Sequence, residues 1–366
     1  MTDPRATGPE LGASAPGEAP DEDDAKAYEL IDAGVRRKLE RFGPLTIDRP
    51  APGADGFRLA PGAWEHADLR FDPGPGWSGP AWPVEPWPVQ IEGLTMQVRP
   101  AKSGGLGLYP EHAANLRWLE AAVAARTGSR SGKSSSGMTD GEPGAAGPPE
   151  PSDDAAAGAR AEAGEDAASG TEGVAGDDAA SGAEGVAADP RGAAATALRA
   201  PRVLNLFAHT GLATLALARA GASVAHVDGA RSAVAWARSN AALSGLDDRP
   251  IRWLVDDALA FVAREARRSQ RYDGFVLDPP AFGRANGREW RLEDDLAGLL
   301  SACRAIAEPN TFVLLTAHSE HVDGRRLGDD LRTAFGRPGA IEVLPLELPA
   351  TSGARLAFGW AARLRP

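Results

Sequence analysis

The pattern of hydrophobic and polar positions predicts an α/β fold for the C-terminal part of the chain. From Pro201 onward, apolar runs of strand length alternate with longer segments of helical periodicity. The predicted strands are VLNLF (203–207), SVAHVD (223–228), IRWLV (251–255), DGFVLD (273–278), TFVLLTA (311–317), IEVLPLEL (341–348) and RLAFGWAARL (355–364). The predicted helices cover 212–220, 230–243, 257–268, 293–307 and about 325–335. Seven strands, with helices between the first five, indicate a doubly wound sheet that ends in a hairpin-like edge.

The pattern before Pro201 is different and predicts a smaller module. YELIDAGVRRKLERFG (28–43) is expected to form a short helix. Residues 44–100 combine tryptophans with many prolines, glycines and short alternating runs such as VQIEGLTMQV, which predicts β-hairpins. PEHAANLRWLEAAVAA (110–125) is expected to be helical, because a proline opens it and its apolar residues share one face.

Two segments lack any pattern of a folded core. Residues 1–26 and 127–200 are rich in Gly, Pro and Ala, and within the second EDAASGTEGVAG (165–176) is followed by the near-copy DDAASGAEGVAA (177–188). We expect both to be disordered, the repeat being an expanded linker. Together they carry a net charge of −13 against −12 for the whole chain, so the remaining chain is close to neutral.

These boundaries predict five parts. They are a disordered tail (1–26), a small β-rich module (27–104), a helical lead-in segment (105–126), a disordered insert (127–200) and an α/β domain (201–366). The single cysteine, Cys303, excludes a disulfide framework and fits a reducing compartment. The chain shows neither a signal peptide nor an apolar run of membrane-spanning length, so a cytoplasmic protein is expected.

Candidate ligand-binding residues follow the predicted strands, because ligands of such sheets bind at the strands' carboxyl ends. The first loop, AHTG, contains Gly211 but lacks the three-glycine fingerprint, which disfavours NAD or FAD. Asp228 ends the second strand and could accept both hydroxyls of a ribose or cap the next helix. Of the pair Asp256-Asp257 after the third strand, one carboxylate could face an adenine and the other cap a helix; we favour Asp257 for the adenine.

The segment Asp278-Pro279-Pro280-Ala281-Phe282 follows the fourth strand and is the most specific motif in the chain. Two consecutive prolines hold an extended loop and donate no backbone hydrogen bond. Their carbonyls, with the carboxylate of Asp278, could hold an amino group of a planar substrate, and Phe282 could stack on its ring. A purely structural loop is the alternative.

These motifs resemble the class I S-adenosylmethionine (SAM)-dependent methyltransferases, which have a Rossmann-like seven-stranded sheet. VLNLFAHTG, Asp228, Asp257 and DPPAF stand in the family's order, and region 201–320 resembles bacterial 23S ribosomal RNA methyltransferases that act on cytosine C5 or guanine N7. GLGLYPEHAANLRW (105–118) is similar to the segment that precedes the fold in that family.

The resemblance implies a role for individual residues and SAM as the cofactor, with no metal. Phe207, His209, Thr210 and Gly211 would surround the methionine part, Asp228 would bind the ribose, and Asp257 the adenine. Asp278 to Phe282, with Pro279 and Pro280 between them, would hold the methyl acceptor. Asn115 and Arg117 would lie near the cofactor's carboxylate or the substrate, although exposed positions on a helix would explain them nearly as well.

One departure from the family bears on the chemistry. Methylation of cytosine C5 needs a cysteine that attacks the ring, and the matching position here is Ser319. Cys303 falls among the leucines of a predicted helix, so we expect it to be a core residue. Direct transfer to a lone pair, on nitrogen or on oxygen, is therefore expected. His318 could serve as a base for an oxygen nucleophile, or could be polar surface.

The acceptor is best interpreted as a ribosomal RNA base. GRANGREWRLEDD (283–295) supplies Arg284, Arg288 and Trp290, which could cover a splayed base or form a solvated loop. A methyltransferase of a protein or small molecule is the alternative. A third hypothesis is an inactive methyltransferase fold that binds RNA or assists assembly.

Overall fold

The computed structural model describes residues 27–80, 82–83, 85–132, 199–285, 288–319, 321–336 and 340–365. The predicted tail (1–26) and the repeat within the predicted insert lie outside these residues. The N-terminal module is β-rich, as predicted. Its five-stranded sheet contains, in spatial order, β1 (Tyr28–Gly34), β2 (Arg37–Phe42), β3 (Leu45–Pro50), β4 (Leu69–Asp72) and β5 (Gly76–Ser78).

The helix predicted for 28–43 is wrong, because this segment forms the β1–β2 hairpin. Val35 and Arg36 at its tip have positive φ angles (53° and 57°), which is the geometry of a two-residue hairpin turn. Gly34 is required there, since a Cβ atom would lie 2.6 Å from the backbone of Phe57. The buried Glu40 of β2 pairs with Arg49 of β3 at 2.6 Å, and this cross-strand contact overrides the local helical pattern.

A second hairpin connects the module to the larger domain. It consists of β6 (Trp87–Ile91) and β7 (Leu94–Val98). Its buried side chains share one apolar cluster with residues of the helices that follow the first two strands of the large sheet. The N-terminal module therefore packs directly on the α/β domain.

The lead-in helix is longer than predicted. A 3₁₀ turn at Pro110–His112 leads into α1 (Ala113–Gly132), which continues six residues into the region assigned to the insert. Arg126 of α1 is buried and pairs with the buried Asp273 of the large sheet at 2.5 Å. Buried charges are costly unless paired, so this contact fixes α1 on the domain.

The large sheet has the predicted seven strands in the order β10-β9-β8-β11-β14-β16-β15. The first five named are parallel, and β16 is antiparallel to both of its neighbours. The last strand thus inserts inside the sheet and leaves β15 at the edge. The strands are β8 (Arg202–Leu206), β9 (Ser223–Asp228), β10 (Ile251–Val255), β11 (Tyr272–Leu277), β14 (Ala307–Ala317), β15 (Ile341–Pro349) and β16 (Arg355–Leu364).

Helices cover both faces of this sheet, as a doubly wound fold requires. One apolar cluster contains residues of α4, α5 and α6, and another joins α1 and α2 to the opposite face. The helices are α2 (Leu212–Arg219), α3 (Arg231–Leu243), α4 (Ala258–Arg267), α5 (Leu292–Ala305) and α6 (Gly324–Phe335). A small hairpin of β12 (Phe282–Ala285) and β13 (Arg288–Arg291) lies between β11 and α5.

Candidate active site

The loop after β8 is held in an uncommon backbone conformation. Phe207 and His209 have positive φ angles (57° and 45°), which are strained for residues other than glycine. The backbone N–H of His209 donates to Oδ2 of Asp228 at 2.8 Å, and this bond ties the loop to the end of β9. Burial lowers the pKa of His209, so its imidazole is kept neutral. The loop is thus a fixed platform at the carboxyl edge of the sheet.

Thr210 and Gly211 end this loop, and contacts with neighbouring segments hold them in place. The Thr210 hydroxyl donates to the Gly107 carbonyl at 2.5 Å, and Asn240 donates to the Thr210 carbonyl at 2.9 Å. Gly211 has φ 93°, and a Cβ atom there would lie 3.0 Å from that of Ala237. Glycine at this position therefore has both a conformational and a steric cause.

Asp228 accepts backbone hydrogen bonds on both carboxylate oxygens. Besides the bond from His209, the N–H of Ala230 donates to Oδ1 at 2.8 Å. The carboxylate lines a cavity of about 150 Å³, which we name the first cavity and whose wall includes Phe207, Asp228, Gly229, Asp256, Asp257, Pro280 and Trp290. Asp228 can accept the N–H of Ala230 and still accept a hydrogen bond from a ligand in the first cavity, since each carboxylate oxygen has a second lone pair.

Both acids after β10 reach the first cavity, and both have structural partners. Asp257 caps α4, because its Oδ1 accepts the N–H of Ala260 at 2.9 Å. Asp256 forms an ion pair with Arg264 and accepts the N–H of Asp257. The capping role that sequence analysis left open thus belongs to Asp257, whose adenine contact stays a prediction.

Trp290 also lines the first cavity. Its indole N–H donates to the Pro280 carbonyl at 2.8 Å, and its ring lies 5.4 Å from that of Phe207. The structure therefore places Trp290 beside the acids assigned to the cofactor, whereas the sequence interpretation assigned it to the substrate. Phe282, on β12, is 53% exposed and lines none of the cavities described here; the Arg291 guanidinium lies 5.8 Å from its ring. Arg284 and Arg288 belong to the same hairpin, but their side chains lie outside the described part of the structure.

Asp278 lies in a second cavity, of about 460 Å³, whose wall includes Tyr109, Glu111, His112, Phe207, Asp228, Asp278, Pro279, Pro280 and His318. Its Oδ1 accepts the Thr316 hydroxyl at 2.5 Å and lies 3.2 Å from His318 Nε2. Its Oδ2 lies 3.3 Å from His112 Nε2. The carboxylate is therefore fixed from three directions.

Charge interactions in this second cavity shift the pKa of each of these three groups. Burial alone would raise the pKa of Asp278, but the two imidazoles outweigh it and hold this pKa well below its usual range. Burial disfavours the charged form of His112, yet Asp278 more than compensates and raises the pKa of His112 to about 9. The pKa of His318 is also raised, against the effect of burial, by the same carboxylate.

His112 and Thr316 are site residues that the sequence analysis missed. His112 stands in the quoted segment GLGLYPEHAANLRW, and Thr316 is the polar residue in the apolar run of β14. A search for polar side chains near the carboxyl ends of all parallel strands would have found Thr316. Nothing in the local sequence indicates that His112 meets Asp278.

Asn115 and Arg117 have different environments. Asn115 is 1% exposed and its Oδ1 accepts two hydrogen bonds from Arg363, at 3.0 and 2.7 Å. Its Nδ2 has no partner among the described residues, and it lines a third cavity together with His209, Thr210, Gly211 and Asp278. Arg117 is exposed, contacts Glu92 at 3.2 Å, and lines none of these cavities.

Cys303 is a core residue, as predicted. It is fully buried on α5 within the apolar cluster on one face of the sheet, and burial raises the pKa of its thiol. Ser319 accepts the N–H of His321 on its hydroxyl. Among the described residues there is no helix with the length and apolar character needed to cross a membrane.

Comparisons with known proteins agree with this architecture. No family model matches the chain. Ribosomal RNA large subunit methyltransferase K/L from Shewanella sp. (strain ANA-3) is 34% identical over 119 residues, 31% of this chain and 17% of the relative. Ribosomal RNA large subunit methyltransferase I from Shewanella denitrificans is 32% identical over 125 residues, which are 34% of this chain and 29% of the relative. The chain therefore spans less than a third of the length of these two relatives.

Two solved structures are similar over most of the chain. A SAM-dependent methyltransferase from Agrobacterium tumefaciens is 28% identical, with a TM-score of 0.68 over 93% of this chain and 90% of that one. A methyltransferase-like protein in complex with S-adenosylhomocysteine (SAH), 12% identical, shares the fold with a TM-score of 0.59 over 93% and 75%. Both likenesses confirm the predicted fold class, and the first, at 28% identity, supports the prediction of a SAM-dependent methyltransferase with SAM as its cofactor.

Proposed function

We propose that this chain, which has the class I SAM-dependent methyltransferase fold, methylates a nitrogen of a ribosomal RNA base by direct transfer. The observation that carries the proposal is the convergence of three cavities around Phe207, with Asp228 in the first, Asp278 in the second and Asn115 in the third. The names of the curated relatives support RNA as the substrate. Such an enzyme works where ribosomes are assembled, so we also propose a cytoplasmic location.

The described residues fit SAM at each of its parts. The unpartnered Nδ2 of Asn115 is a buried donor that a carboxylate would satisfy. Asp228, fixed by two backbone N–H groups, would accept the ribose hydroxyls. The first cavity, between the aromatic wall of Trp290 and the acid Asp257, would take the adenine. When bound there, SAM supplies a methyl group that its sulfonium already makes electrophilic.

The residues of the second cavity would orient the acceptor. Asp278 is held ionised and in one orientation, so it can accept an N–H of the base. The Pro280 carbonyl is already occupied by Trp290, which leaves the Pro279 carbonyl as the second acceptor in our proposal. Holding the nitrogen in line with the methyl group is the main requirement, because a nitrogen lone pair needs no covalent activation.

The experiment uses the full chain with tritiated SAM and undermethylated ribosomes or total RNA. We expect label in a nitrogen-methylated base, and we expect Cys303→Ala to keep this activity, because the thiol is buried away from the cavities. Label confined to protein or small molecules would refute the RNA substrate. No binding of SAM or SAH in calorimetry would refute the enzyme and favour the inactive fold. A folded Cys303→Ala variant without activity would refute direct transfer.

A further inference from the structure

The second cavity contains a group of side chains that direct methyl transfer leaves without a full explanation. Glu111, His112 and His318 each place a nitrogen or oxygen atom within 4.8 Å of those of the other two. Glu111 and His112 come from the turn before α1, and His318 comes from the end of β14. Two imidazoles and a carboxylate in this arrangement are typical of metal ligands.

Glu111 is the residue that most needs an additional partner. It is 4% exposed and lines the cavity, yet its side chain accepts no hydrogen bond and forms no ion pair among the described residues. Its charge interacts with Lys38, His112 and His318, but Lys38 is ion-paired with Glu40 at 3.0 Å, and both imidazoles contact Asp278. A buried carboxylate without a direct partner is costly, and a bound cation would remove that cost.

The surroundings of His318 support the same conclusion. Its Nδ1 lies 2.9 Å from the Phe358 carbonyl and must carry the proton, since a carbonyl only accepts. The Nε2 atom is thereby directed into the cavity, where it lies 3.2 Å from Asp278 Oδ1 and would lose its proton on binding a metal ion. Metal-binding histidines usually have this second contact, which fixes the ring and its tautomer.

The positions need a moderate adjustment to hold one ion. Two ligands of one tetrahedral Zn²⁺ lie about 3.4 Å apart, given bonds of about 2.0–2.2 Å. Side-chain shifts of up to about 0.8 Å would bring the three ligand atoms, now within 4.8 Å of one another, into range. Asp278, at 3.2 Å from His318 Nε2 and 3.3 Å from His112 Nε2, lies next to both imidazoles and would orient them beside the ion.

We propose that Glu111, His112 and His318 form a binding site for one divalent transition-metal ion of the zinc type, at the acceptor end of the second cavity. Imidazole ligands favour such ions over Mg²⁺, which prefers oxygen. A site with three protein ligands leaves a position open toward the cavity. The ion could hold an oxygen of the methyl acceptor there and orient it beside Pro279.

The test measures metal binding, so it does not depend on methyl transfer. The full chain is treated with a chelator, dialysed and titrated with Zn²⁺ and with Mg²⁺ in calorimetry. We expect one Zn²⁺ per chain, bound more tightly than about 1 μM, and at least tenfold weaker binding of Mg²⁺. With Co²⁺, the unmodified chain should show the visible absorption of a low-coordinate site.

Single-residue variants test which side chains bind the metal ion. Glu111→Gln, His112→Ala and His318→Ala should each weaken Zn²⁺ binding at least about tenfold. His66→Ala and His321→Ala are matched controls, because both histidines are exposed and the second lies three residues after His318; neither should change binding. Binding of SAH, measured on the same samples, reports separately on the cofactor site. Absence of stoichiometric Zn²⁺ binding and of a Co²⁺ spectrum in the unmodified chain would overturn the proposal, as would equal losses in the control variants.

Discussion

Asp278 is the residue on which the proposed acceptor chemistry depends most directly. We predict that Asp278→Ala lowers methyl transfer by at least about 100-fold, because the acceptor loses its fixed hydrogen-bond partner and its alignment. SAM binding should change by less than about threefold, or under 1 kcal/mol, since Asp228 and Asn115 are untouched. The measurements are single-turnover transfer and calorimetry with SAH.

Asp294→Ala, an exposed change on α5, serves as the matched control. If Asp278→Ala abolished SAH binding and transfer together, Asp278 would belong to the cofactor site instead.

The hairpin of β12 and β13 carries Trp290, which sequence analysis assigned to the substrate and which lines the first cavity in the structure. Trp290 packs against Phe207 and fixes the Pro280 carbonyl, so it shapes the first cavity. We predict that Trp290→Ala weakens SAH binding roughly tenfold, from the lost aromatic contact and hydrogen bond. Trp82→Ala, at a tryptophan that is 53% exposed, is the control and should leave binding unchanged. A Trp290→Ala variant with normal SAH binding but poor RNA binding would instead mean that Trp290 contacts the RNA substrate, as the sequence analysis predicted.

Strands and helices were predicted best where both faces of the element are buried. The parallel strands β8, β9 and β11 are covered on both faces, so their apolar runs identified them and their bounds within one or two residues. The β1–β2 hairpin was missed because its buried positions include charged residues, Lys38 and Glu40, which pair with each other along β2, while Glu40 also pairs with Arg49 of β3. Local sequence does not contain that information, since Arg49 of β3 supplies the second partner.

At the level of the whole molecule, the candidate site could be predicted where the topology alone brings residues together. The loop at 207–211, Asp228 and Asp278 all follow parallel strands, whose carboxyl ends share an edge. His112 reaches Asp278 only because α1 packs on the domain from outside the strand–helix alternation. Likewise, the hydrogen bonds of Arg363, on β16, to Asn115 join residues that are 248 positions apart in the sequence.

A buried histidine of the large sheet makes the stability of the whole fold sensitive to acid. His226 on β9 is fully buried, its Nδ1 lies 2.9 Å from the Thr214 hydroxyl, and burial lowers its pKa to about 3. Because the unfolded chain binds this proton near pH 6.5, the contribution of His226 to stability is complete above that pH and is lost as pH falls toward 3. We predict that His226→Leu reduces the slope of unfolding free energy against pH by up to about 1.4 kcal/mol per unit between pH 6 and 4. Urea denaturation at several pH values measures this slope, and His66→Leu, an exposed change, should leave it as it is; an unchanged slope in His226→Leu would mean that the buried imidazole is protonated in the folded protein.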